Sequence, residues 1–110
     1  MTKMPLTRDF RETIVARLER DPVFAKALLH EAATLFLNGE PESARLVLRD
    51  LVNATLGFEG LAKATGKPSK SLHRMLSRQG NPSMDNLAAI IGVLGRTLRV
   101  TLRTSTVRAA

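Results

Sequence analysis

The 110-residue sequence contains no cysteine, no tryptophan and no tyrosine. Without cysteine there are no disulfides, no thiolate metal centres and no cysteine nucleophile. Histidine is nearly absent too: His30 and His73 lie 43 positions apart, so no single element carries metal-ligand spacing. No apolar run approaches the ~20 residues of a membrane-spanning helix. Met1-Thr2-Lys3-Met4-Pro5 lacks the apolar core of a signal peptide, and the expected location is the cytoplasm, with no membrane partner. Paired carboxylates at useful spacing and a glycine-rich phosphate loop are also missing. Two isolated histidines do not make a Ser-His-Asp set. No enzymatic activity, cofactor or metal is expected.

Acidic residues are the other shortage. Ten Asp and Glu face seventeen Lys and Arg, for a formal net charge of +7. The excess is unevenly placed. Residues 1–40 hold six bases and six acids, whereas residues 41–110 hold eleven bases and four acids. A one-sided excess of this kind points to a polyanionic partner, most often nucleic acid. The remaining composition, 44% apolar and 25% charged, is that of an ordinary globular protein, and the length suits one domain with one modest core.

The chain is well punctuated. Thr7 can cap a first helix over residues 7–20, with Phe10, Ile14, Val15 and Leu18 on one face. Asp21-Pro22 restarts the chain as an N-cap and first helical residue. The helix over residues 22–37 is apolar across a wide arc (Val23, Phe24, Ala27, Leu28, Ala32, Leu35, Phe36), which predicts burial on more than one side. Asn38-Gly39 ends it. A third helix over residues 41–56 has a one-sided stripe of Ala44, Val47, Leu48, Leu51, Val52 and Thr55, with Arg45 and Arg49 elsewhere. Short helices follow over residues 58–65 and 69–78. Ser83 can cap a sixth, over residues 84–94, with Met84, Leu87, Ile90, Ile91 and Leu94 inward and Gly95 as its stop. Residues 96–103 then change period. Leu98, Val100 and Leu102 alternate with Thr97, Arg99, Thr101 and Arg103, the pattern of a half-buried strand. Nothing else in the chain reads as a strand, so its partner is expected to be a second copy, with Leu98, Val100 and Leu102 at the dimer interface. The alternative is an extended tail packed on the helices without ladder bonds.

Residues 57–80, GFEGLAKATGKPSKSLHRMLSRQG, are the most informative. Ala62 is small and lets two helices approach. Gly66 can take positive φ and reverse the chain sharply, and Leu72 and Met75 return to the core beside Leu61. This spacing gives a helix-turn-helix, whose second helix enters the major groove; the alternative is a plain helical hairpin. Lys70, Arg74 and Arg78 recur every fourth residue, and the segment holds five bases against the single acid Glu59.

The stretch LAKATGKPSKSLHRMLSRQGNPSMDNLAAIIGVLG resembles the helix-turn-helix of XRE, or Cro/CI-type, regulators. More narrowly it is similar to HigA-like addiction-module antidote proteins. The match is carried by Leu61, Ala62, Lys63, Thr65, Gly66, Ser71, Leu72, Leu76, Ser77, Gly80, Asn81, Pro82 and Ser83. Two positions depart from the pattern: Phe58 stands where Gln is common, and Pro68 where many relatives have Ser. The resemblance implies a DNA-binding antitoxin that represses its own operon and neutralises a RelE-like toxin; the balanced charge and high apolar content of the N-terminal helices make them the expected toxin-binding surface. A free-standing XRE-type repressor and a helical interaction module that binds no DNA are the alternatives. Ser69, Lys70, His73 and Arg74, in the first half of the second helix, are the candidates for base-edge contacts, Arg74 as the bidentate guanine ligand. Lys63, Lys67, Ser71, Ser77 and Arg78 are candidates for phosphate contacts. For each of these the competing reading is ordinary solvated surface.

The expected fold is therefore all-α, a five- to six-helix bundle containing a Cro/CI-type helix-turn-helix and one C-terminal β-strand paired across a homodimer. It forms a single domain over residues 1–110, with N-terminal helices at 1–40, the helix-turn-helix core at 41–95 and the strand and tail at 96–110. The expected partners are double-stranded operator DNA, a second copy of the chain and a toxin.

Overall fold

The computed structural model describes Arg17, Arg20 and residues 21–110. The expected helix over residues 7–20 lies outside the described residues apart from Arg17 and Arg20, which are helical. From residue 21 the chain is an all-helical bundle: α1 (Pro22–Leu37), α2 (Pro41–Ala54), α3 (Gly57–Thr65), α4 (Ser69–Met75) and α5 (Met84–Leu98). No strand occurs among the described residues.

Several helix boundaries have a local cause. The Asp21 carboxylate accepts the Phe24 N–H at 3.1 Å, and Pro22 occupies the first turn, where its missing N–H costs nothing. Arg17 reaches forward to this cap, 3.8 Å from Asp21 and 4.0 Å above the Phe24 ring. Ser83 Oγ accepts the Asn86 N–H at 3.1 Å and begins α5. Gly66 ends α3 at φ +72°, and its N–H returns to the Ala62 carbonyl at 2.8 Å. Nothing lies within 4 Å of where a Cβ at residue 66 would sit, so the glycine is needed for backbone conformation alone. Gly66→Ala should cost about 1 kcal/mol of unfolding free energy, measured by urea titration.

The core is built from one face of each helix. Ala25, Leu29 and Ala32 of α1 meet Leu48, Leu51 and Val52 of α2, while Leu61, Leu72, Leu76, Ile90 and Leu94 complete the cluster. All of these are essentially inaccessible to solvent. Helix α1 packs chiefly on α2 and more lightly on α5, while α3 touches α2, α4 and α5. The buried face of α1 is narrower than its wide apolar arc predicts. Ala25, Leu29 and Ala32 share one side of a 3.6-residue repeat, whereas Val23, 75% exposed, Ala27 and Leu37 fall on another.

Three sequence expectations need correction around α2, α4 and α5. Helix α2 stops at Ala54, two residues early, and Thr55 turns its hydroxyl back onto the Leu51 carbonyl at 2.6 Å. Helix α4 stops at Met75 rather than residue 78, because the following residues fold back against its end. Met84 is 86% exposed. It occupies the first turn of α5, outside the stripe formed by Leu87, Ile90, Ile91 and Leu94, so it is not an inward residue.

The segment expected as a C-terminal strand begins as helix. Helix α5 runs through Gly95 to Leu98, and Arg99 ends it in the left-handed conformation at φ 61°. The Arg99 N–H bonds the Arg96 carbonyl at 3.2 Å and the Val100 N–H bonds the Gly95 carbonyl at 2.9 Å, a Schellman-type closure. Gly95 is thus inside the helix, in close contact with the returning chain: a Cβ there would stand 3.1 Å from the Val100 carbonyl oxygen. Leu98, Val100 and Leu102 are partly buried against their own chain's core, as the half-buried side of their alternation implies. Within one chain, residues 99–110 follow α5 as a tail with no strand assignment.

Candidate nucleic-acid interface

Helices α3 and α4 and the turn Gly66-Lys67-Pro68 between them hold the predicted DNA-contact residues except Ser77 and Arg78, which follow α4. Leu61 on α3 and Leu72 on α4 are fully buried, as is Leu76 just beyond it. Their burial fixes which side of α4 faces outward. Lys70, His73 and Arg74 lie on that outer side at helical spacing and are exposed, as is Lys63 on α3. Ser69, Ser71, Ser77 and Lys67 are half-buried, and Arg78 is exposed beyond the end of α4.

The charges on this surface are unevenly matched. Arg78 pairs with Glu42 at the start of α2, N to O 3.4 Å. Lys63, Lys67, Lys70 and Arg74 have no acidic partner among the described residues. The five basic side chains of the motif therefore include four uncompensated ones, gathered on two short helices and the turn between them. Ser77 is engaged elsewhere. Its hydroxyl donates to the Arg74 carbonyl at 2.8 Å, so in this arrangement it has no proton to offer a phosphate.

A seven-residue helix is too short to be stable alone, and the surroundings of α4 supply what it lacks. At its C-terminal end the key residue is Arg45 of α2, 9% exposed and the one buried charged side chain among the described residues. Its Nε donates to the Ser77 carbonyl at 3.0 Å and its Nη2 to the Arg78 carbonyl at 2.7 Å. A cation so placed ties down the turn that follows the helix and lies near the negative end of its dipole. Gly80 closes the same corner by packing its Cα on the Arg74 and Met75 carbonyls. On the side facing α3, Phe58 stacks on His73 of α4, with ring centroids 3.8 Å apart and planes 19° from parallel.

Sequence reasoning allows Arg45 either a DNA-backbone contact or a solvated surface position, and the structure gives it neither. Its burial is invisible in the stripe pattern, because Arg45 is neighbour to Ala44 on a face that only the loop after α4 covers. Arg45→Met keeps the aliphatic bulk, removes both charge-assisted hydrogen bonds and leaves two carbonyls less satisfied. A loss of about 2 kcal/mol is expected, read as a lower urea midpoint with an unchanged slope.

Among the described residues no cluster of three or more His, Asp or Glu side chains is placed to hold a metal ion, and no helix is long and apolar enough to cross a membrane. Compared with known proteins, the chain matches no family model, no curated protein and no solved structure.

Proposed function

We propose that the protein is a sequence-specific DNA-binding transcription regulator that uses α3 and α4 as a helix-turn-helix. The observation that carries this reading is the set of four cations without acidic partners among the described residues, Lys63, Lys67, Lys70 and Arg74, on the helix pair whose inner side is locked into the core. Uncompensated charge repels itself and contributes nothing to folding, whereas a phosphate backbone rewards it by counterion release. Arg74 and Lys70, with Ser69 and His73 beside them, are the base-reading candidates. Lys63, Lys67, Ser71 and Arg78 surround them as phosphate contacts, Arg78 after exchanging Glu42 for the backbone.

One copy makes few phosphate contacts, so a homodimer on a two-fold operator is the simplest route to useful affinity. Its recognition helices would then sit ~34–36 Å apart, one turn of DNA. Leu98, Val100 and Leu102, the candidates for its interface, lie half-buried at the end of α5 and along the tail that follows it.

The antitoxin role is proposed alongside, on the resemblance to antidote proteins and on one structural feature. Val23 and Leu37 stand exposed near the two ends of α1, in the charge-balanced part of the sequence, where a partner could cover them. Co-expression with the product of an adjacent small gene tests this role: a stable complex lost in Val23→Lys/Leu37→Lys supports it, and failure to form any complex removes it. Titration of the purified protein against its own promoter fragment tests DNA binding. Sequence-independent binding, or none, would leave a helical interaction module as the function.

A further inference from the structure

The Phe58–His73 stack joins a buried ring to the side chain of an exposed residue. Phe58 is only 6% exposed, and His73, its partner, remains on the solvent side of α4. What the stack does is choose a conformation for His73. An exposed histidine on a helix samples several rotamers, whereas a ring lying 3.8 Å from another at 19° occupies one. Near-parallel stacking covers a face of the imidazole and leaves its edge, which carries both nitrogens, open. Among the described residues neither nitrogen is taken up by a hydrogen bond. The ring is therefore held between Lys70 and Arg74 on the outer stripe of α4 with its polar edge free.

We infer that Phe58 is a positioning residue that clamps His73 so that its imidazole N–H donates to the acceptor edge of one purine, at N7, in the major groove. The inference rests on the DNA-binding reading and adds to it a specific reader and its support. A neutral imidazole offers one donor and one acceptor, and N7 is the acceptor that every purine shows in the major groove. Ordering the ring before binding removes an entropic cost that a free side chain meets at the moment of contact. The aromatic residue at position 58 thus replaces the polar residue common in the resembled regulators and acts on DNA through its neighbour.

The test compares the wild type, H73A, F58L and the F58L/H73A double variant on the operator and on copies carrying one substituted base pair each. H73A is expected to bind the operator about tenfold more weakly and to lose discrimination at one base pair. Its salt dependence should be unchanged, since no phosphate contact is removed. F58L should lose discrimination at the same base pair, although Phe58 is buried, and the double variant should be no worse than either. Cross-ring nuclear Overhauser contacts between Phe58 and His73 in the free wild type provide a readout that needs no variant. Base preferences untouched by H73A, additive losses in the double variant, or missing cross-ring contacts would each overturn the inference while the DNA-binding reading stands. Absence of specific binding by the wild type overturns both.

Discussion

Gly80→Ala is expected to lower the unfolding free energy by about 3 kcal/mol, among the larger effects a single methyl can have. A Cβ on residue 80 would stand 2.5 Å from the Arg74 carbonyl oxygen and closer still to that of Met75. Both obstacles are backbone, so no side chain can rotate away. The loop must move off the end of α4, and the movement also disturbs the Ser77 and Arg78 carbonyls that Arg45 holds. For a domain of this size the melting temperature should fall by roughly 10–20 °C, measured by circular dichroism at 222 nm. Gly66→Ala is the matched comparison. It meets empty space and should cost about a third as much, because only the left-handed backbone is strained. Equal effects at the two positions would mean that the corner after α4 is looser than these distances imply.

The second large effect concerns binding and should leave stability alone. Lys70→Ala/Arg74→Ala removes two exposed cations with no acidic partner among the described residues, so the melting curve should shift by no more than the equivalent of about 0.5 kcal/mol. Affinity for the operator should fall by about 100-fold or more, combining a bidentate base contact from Arg74 with a contact from Lys70. Lys26→Ala removes the same charge as Lys70→Ala, but from the exposed side of α1, and should leave operator binding nearly unchanged. Fluorescence anisotropy with a labelled duplex measures all of these. A loss of similar size in Lys26→Ala would reduce the effect to net charge and remove the local role of α4.

Most helix starts were legible because they depend on neighbours in sequence. Asp21-Pro22 and Ser83 each act within one turn and cap the helix they precede; Gly66 is the one end that is equally local. The ends were harder, because tertiary contacts decide them. Gly95 has the credentials of a helix stop, yet α5 passes through it: the missing side chain accommodates the returning Val100 carbonyl instead. That return also accounts for the alternation within one chain. Leu98 closes the helix, Arg99 reverses the chain at positive φ, and Val100 and Leu102 then fall on the core side. A helix end followed by an extended tail thus imitates the period of a strand.

At the candidate site the buried and exposed sides of α3 and α4 could be read from Leu61, Leu72 and the spacing of Lys70 and Arg74. The supports could not. Arg45 lies more than thirty residues from the carbonyls it holds, and charge patterning gives no hint that an arginine on an amphipathic helix is buried. The Phe58–His73 stack joins residues fifteen apart on different helices. Its only trace in the sequence is the aromatic residue at position 58, where a polar one is usual in the resembled regulators.

Whether α4 reads DNA sequence is tested most directly by a competition titration. Purified protein is titrated against a labelled fragment of its own promoter, with unlabelled promoter or an unrelated duplex of equal length as competitor, at several salt concentrations. The promoter is expected to compete at least about 1,000-fold better than the unrelated duplex. Binding should weaken steeply and log-linearly with salt, and Lys70→Ala/Arg74→Ala should erase the preference. Equal competition by the two duplexes, or a preference that survives the double substitution, would contradict a sequence-reading role for α4.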